Sequence, residues 1–369
     1  MPGRDVASRP LHIGIDGREL LGQATGVGRY LLGFLEVWAT DAACAHHITV
    51  FLPASPPATL RRLMPRVRVE VAPAARHGTA WEQVELRKLA NAAQLDVFFA
   101  PAYTAPLGLR CPSVLAVHDV SYFAHPEWFP WREGLRRRWL TKRSARSAAR
   151  VITLTAFSAG EVARYVGLDA GRIVIAPPGA PAVDTMSFVG RPPVVLYVGS
   201  LLNRRRLPEL VAGFARAAHD VPEARLVLVG ANRTHPRQDV RAMARAHGVA
   251  DRVDWQEYVS DDALRGWYGR ARVFAFLSDY EGFGMTPFEA IAAGAPPVVL
   301  DTPLSREVYG DGARFVAPDA AEIGTALGDL LQDDAARLSL LAAGRARMAR
   351  YSWSRSAALT LDALESAAR

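Results

Sequence analysis

At 369 residues the chain exceeds what one hydrophobic core organises, and with half its residues hydrophobic and 22% charged it is globular rather than disordered, so two domains are expected. No apolar run reaches the ~18–20 residues that span a bilayer, Met1 to Pro10 lacks an apolar signal core, and Cys44 and Cys111 make neither a disulfide framework nor a cysteine zinc site, which points to the cytoplasm. The formal charge of +7 and a pI near 9.7 imply an anionic partner: a nucleotide, a nucleic acid or an acidic membrane surface.

Short apolar runs alternate with helical patterns along most of the chain. The expected strands are Leu11–Ile15, Ile48–Leu52, Val67–Val71, Asp96–Ala100, Ser113–Val117, Val151–Thr155 and Arg172–Ala176, with helices such as Gly28–Ala39, Trp81–Ala92 and Phe157–Val166 between them. Two Pro/Gly breaks, at 177–181 and 190–193, read as an interdomain linker. A second series follows: Val194–Val198, Arg225–Val229, Arg252–Gln256, Arg272–Leu277, Pro297–Leu300 and Ala313–Val316. Helices are expected from Ala320 to Arg369, with a bend near 350–353. Short continuous strands in β/α alternation predict two doubly wound parallel sheets, whose ligands lie at the carboxyl ends of the strands.

Candidate site residues fall at those ends. Gly26 and Gly28 open the first helix after Thr25, where a backbone approaches a ligand or partner closely. They lack the Gly-x-Gly-x-x-Gly spacing and the acidic residue of a dinucleotide fingerprint. His118 and Asp119 follow the strand Ser113–Val117; His118 is placed to contact sugar hydroxyls or a β-phosphate, and Asp119 to hold nearby backbone. From Arg132 to Arg150 there are eight basic residues and one acidic residue, beside Trp128, Trp131 and Trp139, a pattern suited to a membrane surface or nucleic acid. Gly199 ends a strand before Asn203-Arg204-Arg205-Arg206, and arginine geometry there suits bidentate phosphate contacts.

The densest signal is Asp279-Tyr280-Glu281-Gly282-Phe283-Gly284-Met285-Thr286-Pro287-Phe288-Glu289. Two carboxylates bracket a glycine-bearing loop and a helix start, with Thr286 expected as the N-cap before Pro287. Free amides and the helix dipole favour a phosphate there, and Glu289 is placed to accept two sugar hydroxyls.

This stretch resembles the Glu-x7-Glu signature of the retaining glycosyltransferases of family 4, a GT-B family, and the likeness extends over nearly the whole chain toward bacterial O-antigen and capsule-type mannosyltransferases. The resemblance implies a GT-B fold: residues 1–182 as an acceptor-binding Rossmann-like domain, 183–350 as a nucleotide-sugar domain, the two facing a cleft, and 351–369 as a helix crossing back. It assigns Glu289 to the donor ribose, and Glu281 with the amides of Gly282, Phe283, Gly284 and Met285 to the transferred sugar. The Met285 and Thr286 amides join the phosphate site, and Gly230, Tyr258 and Val259 lie beside the nucleobase. The family's Arg-Lys pyrophosphate pair reads Arg204 and Arg205 here.

The resemblance further implies retention of anomeric configuration and a nucleotide diphosphosugar donor, GDP-mannose being favoured, with no other cofactor, and the lack of an Asp-x-Asp sequence leads us to expect no metal. Arg204, Arg205 and the helix terminus then neutralise the leaving diphosphate. The expected partners are that donor, a glycan or lipid-linked acceptor and an anionic membrane, which makes the protein peripheral on the inner face of the plasma membrane. Two alternatives stand beside it: a phosphorylase or synthase on the same fold, and a basic nucleic-acid-binding protein without catalysis.

Overall fold

The computed structural model describes residues 9–22, 26–41, 44–72, 78–183 and 190–369. Every expected strand is present, with ends that shift by no more than a residue or two. The first series gives β1 (His12–Asp16), β2 (His47–Leu52), β3 (Val67–Val71), β4 (Val97–Ala100), β5 (Ser113–Ala116), β6 (Arg150–Thr153) and β7 (Ile173–Ile175). They form one parallel sheet in the order β3-β2-β1-β4-β5-β6-β7. The second series gives β8 (Val194–Val198), β9 (Arg225–Val229), β10 (Val253–Gln256), β11 (Val273–Phe276), β12 (Pro297–Leu300) and β13 (Arg314–Val316). Its sheet is also parallel, in the order β10-β9-β8-β11-β12-β13.

Both sheets are doubly wound, and their central strands are apolar and buried while the edge strands β3 and β10 carry polar residues. β8 is buried along its whole length, and its neighbours Leu228, Phe214 and Leu327 are fully buried with it. The winding direction reverses between β1 and β4 in one sheet and between β8 and β11 in the other. At such a reversal the connections leave toward opposite sides and open a crevice at the carboxyl ends of two adjacent strands.

The contacts divide the chain into two units. One holds the residues up to Ala124, Trp131–Gly179 and Ser352–Arg369; the other holds His125–Pro130 and Ala180–Tyr351. The chain changes unit at Gly179 and Ala180 rather than at 182 and 183, because the Ala180 amide already donates to the Tyr351 carbonyl at 3.0 Å. Part of the Pro/Gly linker, 184–189, lies outside the described residues. Ser352 caps the last helix, Trp353–Ala368, by accepting from the Arg355 amide at 3.2 Å. This helix belongs to the first unit, where Trp353 packs so closely that a Cβ on Gly33 would lie 2.5 Å from its ring.

One buried arginine organises the helices beside the second crevice. Arg191, 5% exposed, donates to the Ala271 carbonyl at 3.0 Å and the Ala293 carbonyl at 2.7 Å. Those carbonyls cap the helices Asp261–Arg270 and Thr286–Ala292, whose C-terminal ends favour a cation. Arg191→Ala removes the donor from the buried Ala271 carbonyl and the half-buried Ala293 carbonyl, and we expect the second unit to lose about 3 kcal/mol. Thermal unfolding with a probe in that unit checks this, and an unchanged midpoint would contradict it.

Candidate active site

The loop after β8 and the loop after β11 meet at the winding reversal of the second sheet. Asp279 donates its amide to the Arg204 carbonyl at 2.8 Å, stitching the two loops through their backbones. Three arginines reinforce the seam. Arg206 binds Asp279 at 2.7 Å and Glu209 at 3.0 Å. These contacts hold Arg206 in a left-handed conformation, φ +48°, which an L side chain adopts at a cost.

Arg205 is the centre of the cluster. Its Nε and Nη2 donate to Glu281 Oε1 at 3.0 and 2.8 Å, and Ser278 Oγ donates to the same oxygen at 2.8 Å. Arg204 approaches the carboxylate at 3.5 Å. The Arg205 guanidinium lies 4.9 Å from the Phe276 ring centroid, and its Nη1 donates to the Tyr197 hydroxyl at 3.4 Å. Burial alone disfavours the Glu281 carboxylate, but Arg205 and then Arg204, with Ser278, hold its pKa down at about 2, below the ordinary 4.5.

Two glycines are required by this packing. A Cβ on Gly199 would sit 2.3 Å from Arg205 Nη1, and one on Gly230 would sit 2.1 Å from the Gly199 carbonyl oxygen. Both have φ values, +137° and +147°, that favour glycine. Trp255 Nε1 donates to the Gly230 carbonyl at 3.0 Å, tying the β9 end to β10. Tyr258 and Val259 follow β10 along the same sheet edge, with the Tyr258 side chain exposed.

The glycine loop after Glu281 is anchored by Tyr309, whose hydroxyl donates to the Gly284 carbonyl at 2.8 Å. Gly282 is buried, and Phe283 turns into the core against Phe288 and Tyr351, so Phe283 can offer a ligand its backbone alone. The helix starts at Thr286, not after it. Met285 is the cap residue, because its carbonyl accepts from the Phe288 and Glu289 amides at 3.0 and 3.2 Å. Thr286 Oγ1 is therefore no N-cap; it is buried without a hydrogen-bond partner among the described residues. Glu289, in the first turn, accepts from the Tyr268 hydroxyl at 2.7 Å. The two glutamates thus stand in different settings, one locked to arginines and one on a tyrosine.

In the first unit, His118 is buried and its Nε2 donates to the Pro101 carbonyl, just past β4, at 2.7 Å. Its ring meets Tyr30 and Tyr103 edge-on. Burial is the main reason its pKa is lowered, so the ring is held neutral. Asp119 accepts from the Ser121 amide at 2.8 Å and the Tyr103 hydroxyl at 3.1 Å. Gly26 is exposed and Gly28 buried in the first turns of the helix Gly26–Thr40, while Thr25 lies outside the described residues.

Sequence reading missed the network at the winding reversal of the first sheet. Arg18 binds Asp16, the last residue of β1, at 2.7 Å and Glu82 at 2.8 Å, and Thr104 donates to Glu82 at 2.7 Å. Glu82 lies in a widened helical turn, Glu82–Leu86, a distortion frequent at functional sites. Asp16 at a strand end was the available signal; its partners lie too far along the chain to be read from spacing. Among the described residues, no three His, Cys, Asp or Glu side chains cluster as a metal site.

Known families match this chain along most of its length. Residues 24–183 match the model of Glycosyltransferase Family 4, and residues 186–347 match that of Glycosyl transferases group 1. The chain belongs to the group 1 glycosyltransferases. The enzyme is 26% identical over 288 residues to O-antigen chain mannosyltransferase B of Escherichia coli, covering 72% of this chain and 73% of that protein. It is 28% identical over 207 residues to a GDP-mannose:cellobiosyl-diphosphopolyprenol alpha-mannosyltransferase of Xanthomonas oryzae pv. oryzae, covering 55% and 52%. Among solved structures, Anabaena HepE in complex with UDP and glucose superposes with a TM-score of 0.74 at 18% identity, over 96% of this chain and all of that one. WaaG, a glycosyltransferase involved in lipopolysaccharide biosynthesis, gives 0.73 at 16% identity, over 96% and 99%. The glycosyltransferase therefore has the GT-B fold.

The ion cluster makes a stability prediction. Glu281→Gln leaves the Arg205 charge buried without its counterion, at a cost of about 3 kcal/mol at neutral pH. The folded-state pKa of Glu281 lies below its unfolded value, so the carboxylate's stabilisation is complete above about pH 4.5 and is lost as pH falls toward 2. The stability gap between wild type and variant should close over that window in denaturant titrations. A gap independent of pH would contradict the assignment.

Proposed function

We propose that this glycosyltransferase moves a hexose, with retention of configuration, from a nucleotide diphosphosugar to a growing glycan or lipid-linked acceptor in cell-surface polysaccharide synthesis. Mannose from GDP-mannose is the favoured donor sugar, on the names of the relatives. The observation that carries the reading is the arginine cluster stitched to the Asp279–Glu281 loop at the winding reversal of the second sheet. Fixed cations there are suited to the charge that develops on a leaving diphosphate.

In this reading Arg204 and Arg205 neutralise the diphosphate, with the Met285 and Thr286 amides beside them, and no metal is required. The Glu289 carboxylate, oriented by Tyr268, takes the ribose hydroxyls. Glu281 acts on the donor chiefly by holding both arginines in place, since Oε1 already accepts from Arg205 and Ser278. The anomeric centre passes through an oxocarbenium-like state, the acceptor attacks from the leaving-group face, and a phosphate oxygen takes its proton. The first unit binds the acceptor. A lipid-linked acceptor makes the enzyme peripheral on the inner face of the plasma membrane.

A donor screen that follows nucleotide release, with mass analysis on lipid-linked acceptors, tests this. Turnover with GDP-mannose should persist in excess EDTA; loss restored by magnesium or manganese would overturn the metal-free arrangement. Glu289→Gln should weaken free GDP by about 1–3 kcal/mol. Unchanged GDP affinity would remove Glu289 from the ribose.

A further inference from the structure

The helix Trp131–Ser147 has its amphipathicity reversed. Its buried positions are Gly134, Leu140, Thr141, Ser144 and Ala145, of which four are small or polar. Thr141 bonds the Tyr122 hydroxyl at 2.9 Å, and Ser144 accepts from the Ala105 amide at 3.1 Å. Apart from Leu140, the large apolar side chains point the other way. Trp131, Leu135 and Trp139 recur one turn apart and are 70, 53 and 59% exposed. A surface helix normally buries such residues.

Charge on the same face is one-sided. Helical spacing places Arg132, Arg136, Lys142, Arg143 and Arg146 beside the Trp131–Leu135–Trp139 stripe. The helix's one carboxylate, Glu133, lies off this face and pairs with Arg137 at 2.5 Å. Trp128, which the sequence groups with this stretch, belongs to the other unit and stacks on His125 at 3.9 Å.

We propose that the exposed face of Trp131–Ser147 seats on an anionic lipid surface, with the Trp131–Leu135–Trp139 stripe in the interface and the basic side chains at headgroup level. Tryptophans favour that boundary and lysine and arginine stems reach outward from it. A duplex or a second copy of the chain fits less well. A duplex leaves the apolar stripe unmatched, and a second copy brings five like charges face to face. The inference extends the lipid-linked acceptor reading to a named surface, but the surface is tested without the reaction.

The test is co-sedimentation of the full chain with vesicles of neutral phosphatidylcholine or of phosphatidylcholine mixed with phosphatidylglycerol. Wild type should bind the anionic vesicles and release them as salt rises. Arg132→Gln, Arg143→Gln and Arg146→Gln together should weaken partitioning about a hundredfold. Trp131→Ala with Trp139→Ala should weaken it at least about tenfold. Both variants should keep wild-type GDP binding and melting, which reports an intact fold and donor site. Variants that bind vesicles like wild type overturn the proposal. So does tighter binding to a DNA duplex than to anionic vesicles, or a dimer that the tryptophan variant abolishes. Vesicle binding without any nucleotide binding would instead sink the donor reading and leave this surface standing.

Discussion

The contact between Arg205 and Glu281 is the constraint on which the second unit's site depends. A buried ion pair adds little net stability, because desolvating two charges offsets most of their attraction. Its effect is on position. Once Arg205 lies on the strand end, Gly199 has no room for a side chain, Gly230 must pass against the Gly199 carbonyl, and Phe276 and Tyr197 wall the guanidinium. The loop after β11 is then fixed against the loop after β8, and the arginine side chains are held at the winding reversal. Preorganised charge of this kind needs no reorganisation during reaction.

The fold was legible because the central strands are short, continuous apolar runs bounded by turn residues, a pattern that parallel sheets covered on both sides demand, while the edge strands Val67–Val71 and Val253–Gln256 carry polar residues. The site was legible as a set of loops at strand ends, and less so as a set of contacts. Glu281 reads as a sugar ligand from its spacing to Glu289, whereas its carboxylate is committed to arginines more than seventy positions earlier. Spacing within one loop carries no information about a partner on another strand. The Asp16–Arg18–Glu82 network escaped for the same reason.

Local rules failed where a neighbouring backbone group competed. Thr286 before Pro287 is a good N-cap sequence, yet the Met285 carbonyl takes the amides that begin the helix. His118 stands at a strand end, as a crevice residue should, and its Nε2 donates to the Pro101 carbonyl with the ring set among tyrosines. The basic segment shows the opposite case. Its composition is visible in sequence, but only the packing of Gly134, Leu140, Thr141, Ser144 and Ala145 shows that Trp131, Leu135 and Trp139 are left outside.

We propose the arginine cluster as the cradle of a donor diphosphate. Calorimetric titration with guanosine, GMP and GDP, repeated with the uridine series, measures it directly. One series should tighten at least about tenfold from mono- to diphosphate, as charged hydrogen bonds to a second phosphate require. Arg204→Gln should remove that increment while leaving nucleoside binding in place. Equal affinities along both series, or a diphosphate increment that survives Arg204→Gln, would contradict the account.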